Sequence, residues 1–334
     1  MMEMEDQSEL CFPQLINISC RKPTSHWSEG VLFTVLLSII CIFTVVLNLM
    51  VIISISHFRQ LHTPSNLLRL SLSVSDFLVG LLVIPVDIYL KISCWTLGDV
   101  FCFLWFSMSF LVTSASVGTM VLISADRYVA ICDPLHYNTK VTVRRVQLCV
   151  CLCWFSSFLY CSIILKDQLV HPGRYISCYE ECVFGGDYYA GVIDLVVTFL
   201  LPLSIIITLY MRVFVVAVSQ ARAMSSHVTS VTLQHSVTVR AKKSELKAAR
   251  TLGVLVLVFL KIKLHTTTTQ TPNRHRRSQS LFASYLKFVI NFFYFNSCLN
   301  PLIYALFYPW FRRAVRHIVT LHILKPGFWG CNIL

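Results

Sequence analysis

The sequence predicts an all-α bundle of membrane-spanning helices, and three observations lead there. Of its 334 residues, 56% are hydrophobic and only 13% charged, and the mean hydropathy is +0.68. A soluble domain carries roughly 25% charged residues, so this composition makes lipid the solvent. Apolar stretches recur at about 31–56, 67–90, 100–125, 146–165, 188–218 and 281–308. Most exceed the roughly 20 residues that a helix needs to cross the hydrocarbon core. The basic residues between these stretches are unevenly divided, as the positive-inside rule requires of a polytopic chain.

The orientation follows from that division. With the N-terminus outside, the inner loops, helix ends and tail hold Arg59, Arg69, Arg127, Lys140, Arg144, Arg145, Arg212, Arg222, Lys242, Lys243, Arg312, Arg313 and others. The outer segments hold only Arg21, Lys22, Lys91, Lys166 and Arg174. The net charge of +12 is therefore mainly cytoplasmic-face charge. Its scatter among loops argues against a nucleic-acid interface. The polar first 30 residues hold no short apolar core, so the first helix is expected to act as the membrane signal. Asn17-Ile18-Ser19 is a glycosylation acceptor in that outer arm. The organisation expected is an extracellular arm over 1–30, a helix bundle over 31–308, and a short amphipathic helix with a cytoplasmic tail over 309–334. No metal constellation, nucleophile–base pair or inverted repeat is visible, which argues against an enzyme or a transporter.

Motifs then fall on the helices in order. Asn48 lies in the first, Leu72-Ser73-Val74-Ser75-Asp76 in the second, and Cys102 opens the third, which Asp126-Arg127-Tyr128 closes. Trp154 is in the fourth, Pro202 and Tyr210 in the fifth, and Asn300-Pro301-Leu302-Ile303-Tyr304 ends the last. The ordered set resembles the rhodopsin-class G-protein-coupled receptors and implies a seven-transmembrane helix bundle in the plasma membrane. Ser93-Cys94-Trp95, the run from Asp126 to Tyr137, Glu245 to Leu252, and the pair Cys178 and Cys182 resemble the trace amine-associated receptors, most of all their fish olfactory branch. The partners implied are an extracellular, odorant amine, a heterotrimeric G protein and membrane lipid.

The resemblance assigns roles. Asp126, Arg127, Tyr128, Tyr210 and Tyr304 fall at its G-protein-coupling positions. Arg127 is a charge at the inner end of a spanning helix, tolerable beside Asp126 and near water. Asp76 is a mid-helix carboxylate, and a charge at that depth costs roughly 2.5–3.5 kcal/mol, so it needs a partner or a cavity. Asn48, Ser116, Asn296, Ser297 and Asn300 can supply polar atoms if the helices pack as in the family. There Asp76, Ser116, Asn296 and Asn300 correspond to a sodium-holding cluster, the one cofactor expected. The family's disulfides imply Cys102–Cys182 and Cys20–Cys178, with Cys11 as the rival to Cys20.

The usual amine anchor, an aspartate in the outer half of the third helix, is replaced here by Ser109. Asp194, outward of Pro202 on the fifth helix, resembles the branch in which that anchor has moved across the pocket. Asp87, near the outer end of the second helix, is its rival. Trp105, Phe106, Phe110, Phe293 and Tyr294 are candidate aromatic walls for a cation, with ordinary helix packing as the competing role of each taken singly. The sixth helix departs from the family pattern. After Phe259 no Trp or Pro follows, and 261–280 is rich in Thr, Arg and His. That helix reads as truncated or corrupted, through a wrong exon boundary, gene decay or true divergence. The chain as written is then expected to insert and signal poorly.

Overall fold

The computed structural model describes residues 10–12, 14, 19–20, 27–170, 178, 182, 193–227, 290–291, 293–306 and 308–320. The segment 261–280 and Asn17 lie outside the described residues. Among those described, five helices are long and apolar enough to cross a membrane. They are the first, Val31–His57, the second, Pro64–Ile92, the third, Gly98–Cys132, the fourth, Val143–Ile164, and the fifth, Ile193–Gln220. A further helical run over 293–306 carries the Asn300–Tyr304 motif and is the last helix before the short terminal one. The short helix Pro309–Val319 follows it.

Local chemistry sets the ends and bends. Thr63 caps the second helix by accepting from the Asn66 amide, and Pro64 sits where a missing N–H costs nothing. Thr142 caps the fourth in the same way through the Arg145 amide. The second helix widens into a π turn at Val79–Val83, just before Pro85. The fifth widens at Val196–Leu200, just before Pro202. In each case the proline ring crowds the preceding turn and supplies no donor to it, and the wide turn relieves both effects.

Faces divide by solvent. Val31, Leu32, Phe43, Leu148, Phe155, Phe158, Ile207 and Val215 point outward from the bundle. Such apolar surface is where lipid belongs. Inside, small and polar residues let the helices approach. Ser71 on the second helix shares a hydrogen bond with Thr119 on the third and accepts one from the Trp154 indole on the fourth. Gly118 faces Cys153 so closely that an added Cβ would stand 2.5 Å from its sulfur. The short terminal helix buries Phe311 and Ala314 against Val51, Ile55, Phe58 and Leu61, and leaves Arg312, Arg313 and Arg316 exposed.

Among the described residues, three disulfides bind the outer end. Cys102 is joined to Cys182, Cys20 to Cys178, and Cys11 to Cys94. The third bond gives Cys11 a partner of its own, beside Trp95 at the end of the second helix. The arm closes on itself as well: the Cys11 amide donates to the Cys20 carbonyl at 2.8 Å, and the Phe12 amide to Ser19 Oγ at 2.7 Å.

Two outcomes are expected. Gly118→Ala should force the third and fourth helices apart and lower stability by about 1–3 kcal/mol, read as a lower thermal midpoint of the detergent-solubilised chain. Peptide mapping without reductant should recover Cys11 linked to Cys94. A Cys11–Cys178 peptide in its place would show that the arm crosses the mouth in a different register.

Candidate functional site

The functional residues stand at three depths. At mid-membrane Asp76 is fully buried, and donors converge on it from two helices. Ser116 of the third helix donates to Oδ1 at 3.2 Å. Ser297 and Asn300 of the last helix donate to Oδ1 at 2.8 Å and to Oδ2 at 2.7 Å. Asn48 reaches the same junction through the Ser297 carbonyl at 3.0 Å. Asn296 departs from the cluster the family pattern implies, because its amide donates to Met120 Sδ at 3.3 Å and not to Asp76. One turn of helix separates Asn296 from Asn300, and the side chain takes the soft acceptor on its own side.

At the inner end Asp126 is nearly buried and holds three partners. Arg127 reaches its Oδ2 at 2.7 Å, Ser65 donates to the same oxygen at 2.8 Å, and Tyr137 donates to Oδ1 at 2.7 Å. Arg127 also donates to Ser65 Oγ at 2.7 Å. Ser65 opens the second helix and Tyr137 opens the short inner-loop helix Tyr137–Lys140. The Tyr137 phenol is held above its ordinary pKa, first by burial. On the exposed rim of that loop Asp133 binds Lys140 and His136, each at 2.8 Å. Those hydrogen bonds bring its carboxyl down to about 2.

Arg69, counted from sequence as a helix-end charge, is 7% exposed. It donates to Asn66 Oδ1 at 2.6 Å and to the Tyr308 hydroxyl at 3.1 Å. Its guanidinium lies 4.7 Å from the Tyr308 ring centre and 6.0 Å from that of Tyr304. Tyr304 is buried, while Tyr128 and Tyr210 are half-buried.

At the outer end Asp194 is half-buried and accepts from the Tyr160 hydroxyl of the fourth helix. The Thr198 hydroxyl donates to its backbone carbonyl at 2.7 Å. Ser109 spends its hydroxyl on the Trp105 carbonyl at 2.7 Å, so the third helix offers no charge there. Asp87 is bound to Lys91 at 2.6 Å, and that ammonium stands 4.8 Å from the Phe33 ring centre. Phe293 meets the buried Phe199 edge-on at 6.3 Å between ring centres. Trp105 and Phe106 lie 4.7 Å apart, with the Trp105 indole donating to the Val83 carbonyl. Phe110 is half-buried on the third helix. Tyr294 is withdrawn into a core with Leu37, Val79, Val83, Ile84 and Val112.

Sequence reasoning missed Ser65, Tyr160 and Phe199. Ser65 and Phe199 carry no pattern of their own. Tyr160 is one aromatic residue in an aromatic helix. Tyr137 stood inside the quoted inner-loop motif without a role.

A spanning bundle with a buried mid-membrane carboxylate and an Asp-Arg-Tyr end tied to an inner loop defines a class, and the comparisons agree. The family described as 7 transmembrane receptor (rhodopsin family) matches residues 47–304, and the chain belongs to it. Within it the chain is of the trace amine-associated type. It is similar to trace amine-associated receptor 13c of Danio rerio, at 35% identity over 98% of this chain and 97% of that one. It is 34% identical to trace amine-associated receptor 1 of Homo sapiens, over 96% of each chain. To trace amine-associated receptor 8a of Rattus norvegicus it is 33% identical, over 95% of this chain and 94% of that one. The chain is thus a multi-pass G-protein-coupled receptor of the plasma membrane with its N-terminus outside, and not an enzyme. Its partners are a small-molecule ligand and a heterotrimeric G protein.

Removing one donor tests the inner cluster. Tyr137→Phe leaves a nearly buried carboxylate oxygen short of its hydrogen bond, which should lower stability by about 1–2 kcal/mol. A thermal midpoint equal to that of the unmutated chain would exclude Tyr137 from the cluster.

Proposed function

We propose that this receptor senses extracellular basic amines, odorant amines among them, and that ionised Asp194 pairs with their ammonium group. One observation carries the reading: an acidic side chain stands within a spanning segment of the fifth helix, while the third-helix position holds Ser109. An intramembrane acid is a functional candidate by default. The competing acid, Asp87, already has Lys91 as its counter-ion. Phe106, Phe110 and Phe293, with Phe199 beside Phe293, are the aromatic surface for the organic part of the ligand. The relatives are named for trace amines, which points the same way.

The same reading extends to the rest of the receptor. Asp76, Ser116 and Ser297, all buried, and the half-buried Asn300 form an oxygen-rich set that suits a hard cation such as sodium, since the two hydroxyls can turn their lone pairs toward it. The Asp126–Arg127 pair opens toward the G protein on activation, with Tyr128, Tyr210 and Tyr304 on that face. Asn17 carries the glycan of the outer arm, and lipid covers the outward apolar faces.

Binding of labelled 2-phenylethylamine to membranes carrying the full chain tests the anchor. Losing the partner of a desolvated charge costs about 3–5 kcal/mol when burial is complete. Asp194 is only half-buried, so Asp194→Asn should weaken binding by roughly a hundredfold. Asp87→Asn should leave it within a few-fold. The reverse pattern would move the anchor to the second helix.

A further inference from the structure

Asp194 does not face the ligand space alone. Among the described residues its carboxylate has one hydrogen-bond partner, the Tyr160 hydroxyl, which donates to Oδ1. The fourth helix holds Tyr160 at this height through its neighbour, because the Cys161 thiol donates to the Ser107 carbonyl of the third helix at 3.4 Å. Thr198, bonded to the Asp194 carbonyl, fixes the fifth-helix side.

The direction of that bond decides what the pair can offer. A phenol has one hydrogen to give and lone pairs with which to accept. With its hydrogen given to Oδ1, the Tyr160 oxygen faces the outside only as an acceptor. An ionised carboxylate is an acceptor throughout, and its Oδ2 has no described partner. The pair therefore presents two acceptors side by side, Asp194 Oδ2 and Tyr160 Oη, with one negative charge between them. A cation fills both only if it carries at least two N–H bonds. A primary ammonium has three, a tertiary ammonium has one, and a quaternary ammonium has none.

We propose that Tyr160 and Asp194 together form a two-acceptor seat, and that Tyr160 is the residue by which this receptor prefers primary amines to their N,N-dimethyl counterparts. The inference rests on Asp194 being the anchor. The carboxylate supplies the charge common to all amines, and the phenol counts N–H bonds. A tertiary ammonium reaches Asp194 with its single N–H and leaves Tyr160 Oη without a donor from the ligand. One such hydrogen bond corresponds to roughly tenfold in affinity.

The test is competition by 2-phenylethylamine and N,N-dimethyl-2-phenylethylamine against labelled 2-phenylethylamine, on membranes with the full chain. The unmutated chain should bind the primary amine roughly tenfold more tightly. Tyr160→Phe should bring the two affinities together, mainly by weakening the primary amine. The result read is a ratio within one variant, so expression level does not enter it. If Tyr160 only props Asp194 in place, Tyr160→Phe weakens both amines equally and the ratio stays, which overturns the seat but leaves the anchor. If Asp194→Asn leaves both affinities within a few-fold, the anchor itself fails and the seat with it. Should Tyr160→Phe not reach the membrane, the unmutated chain still decides: equal affinities for the two amines overturn the proposal. Failure of the unmutated chain to bind 2-phenylethylamine saturably overturns it too.

Discussion

One carboxylate organises the middle of this receptor. In lipid the helices gain little by hiding apolar side chains from one another, so polar contacts and close packing decide which faces meet. Asp76 has no access to solvent and accepts from Ser116, Ser297 and Asn300. Leaving such a group without donors would cost several kcal/mol, so the second, third and last helices are bound to present those side chains at one height. Asn48 brings in the first helix by bonding the Ser297 backbone. The apolar core of Leu37, Val79, Val83, Ile84, Val112 and Tyr294 then fills the space outward of this junction.

The two ends are held by different chemistry, and the difference suits a receptor. Outside, disulfides join the arm to the second helix and to the loop, and the loop to the third helix. Those links do not exchange on the timescale of signalling. Inside, the ties are charges and hydrogen bonds. Asp126 gathers Arg127, Ser65 and Tyr137, while Arg69 holds Tyr308 and lies against Tyr304. Arg69 is a buried cation whose ties among the described residues are an amide oxygen, a phenol and two aromatic rings. Each of these contacts is individually weak and reversible. A covalently closed mouth above a reversibly closed inner face directs any ligand-driven change inward.

Much of this could be read from the chain. Spans and orientation followed from length, hydropathy and the basic bias, because the cost of charge in lipid leaves few alternatives, while the ordered motifs were legible by their resemblance to a receptor family. Asp76 and Asp194 stood out for the same reason. Their partners were harder to read. Asn296 and Asn300 share a chemistry, and only the rotation of the last helix decides that one reaches Asp76 and the other Met120. Arg69 read as an ordinary inner charge, since no periodicity announces that a helix end will be covered by Tyr308. Cys11 read only as the rival to Cys20, and its bond to Cys94 was not foreseen, because spacing does not determine how an irregular arm folds back. The segment 261–280 stood out by composition alone.

The fifth helix shows why Tyr160 could not be found by counting. A π turn holds one residue more than an α turn, so everything outward of it is rotated by about 100° relative to a regular helix. The turn at Val196–Leu200 lies between Pro202 and Asp194. Counting regular turns from Pro202 therefore misjudges the direction of Asp194, and with it the helix that Asp194 meets. The rotation is a local consequence of Pro202, yet it sets where the negative charge sits. Asp194 is carried to the fourth helix, where Tyr160 can donate to it. Ser109 keeps the opposite wall neutral by turning its hydroxyl onto the Trp105 carbonyl. A proline that bends a helix and an acid that meets a cation are thus parts of one arrangement, and a change at the wide turn would move the charge without touching Asp194 itself.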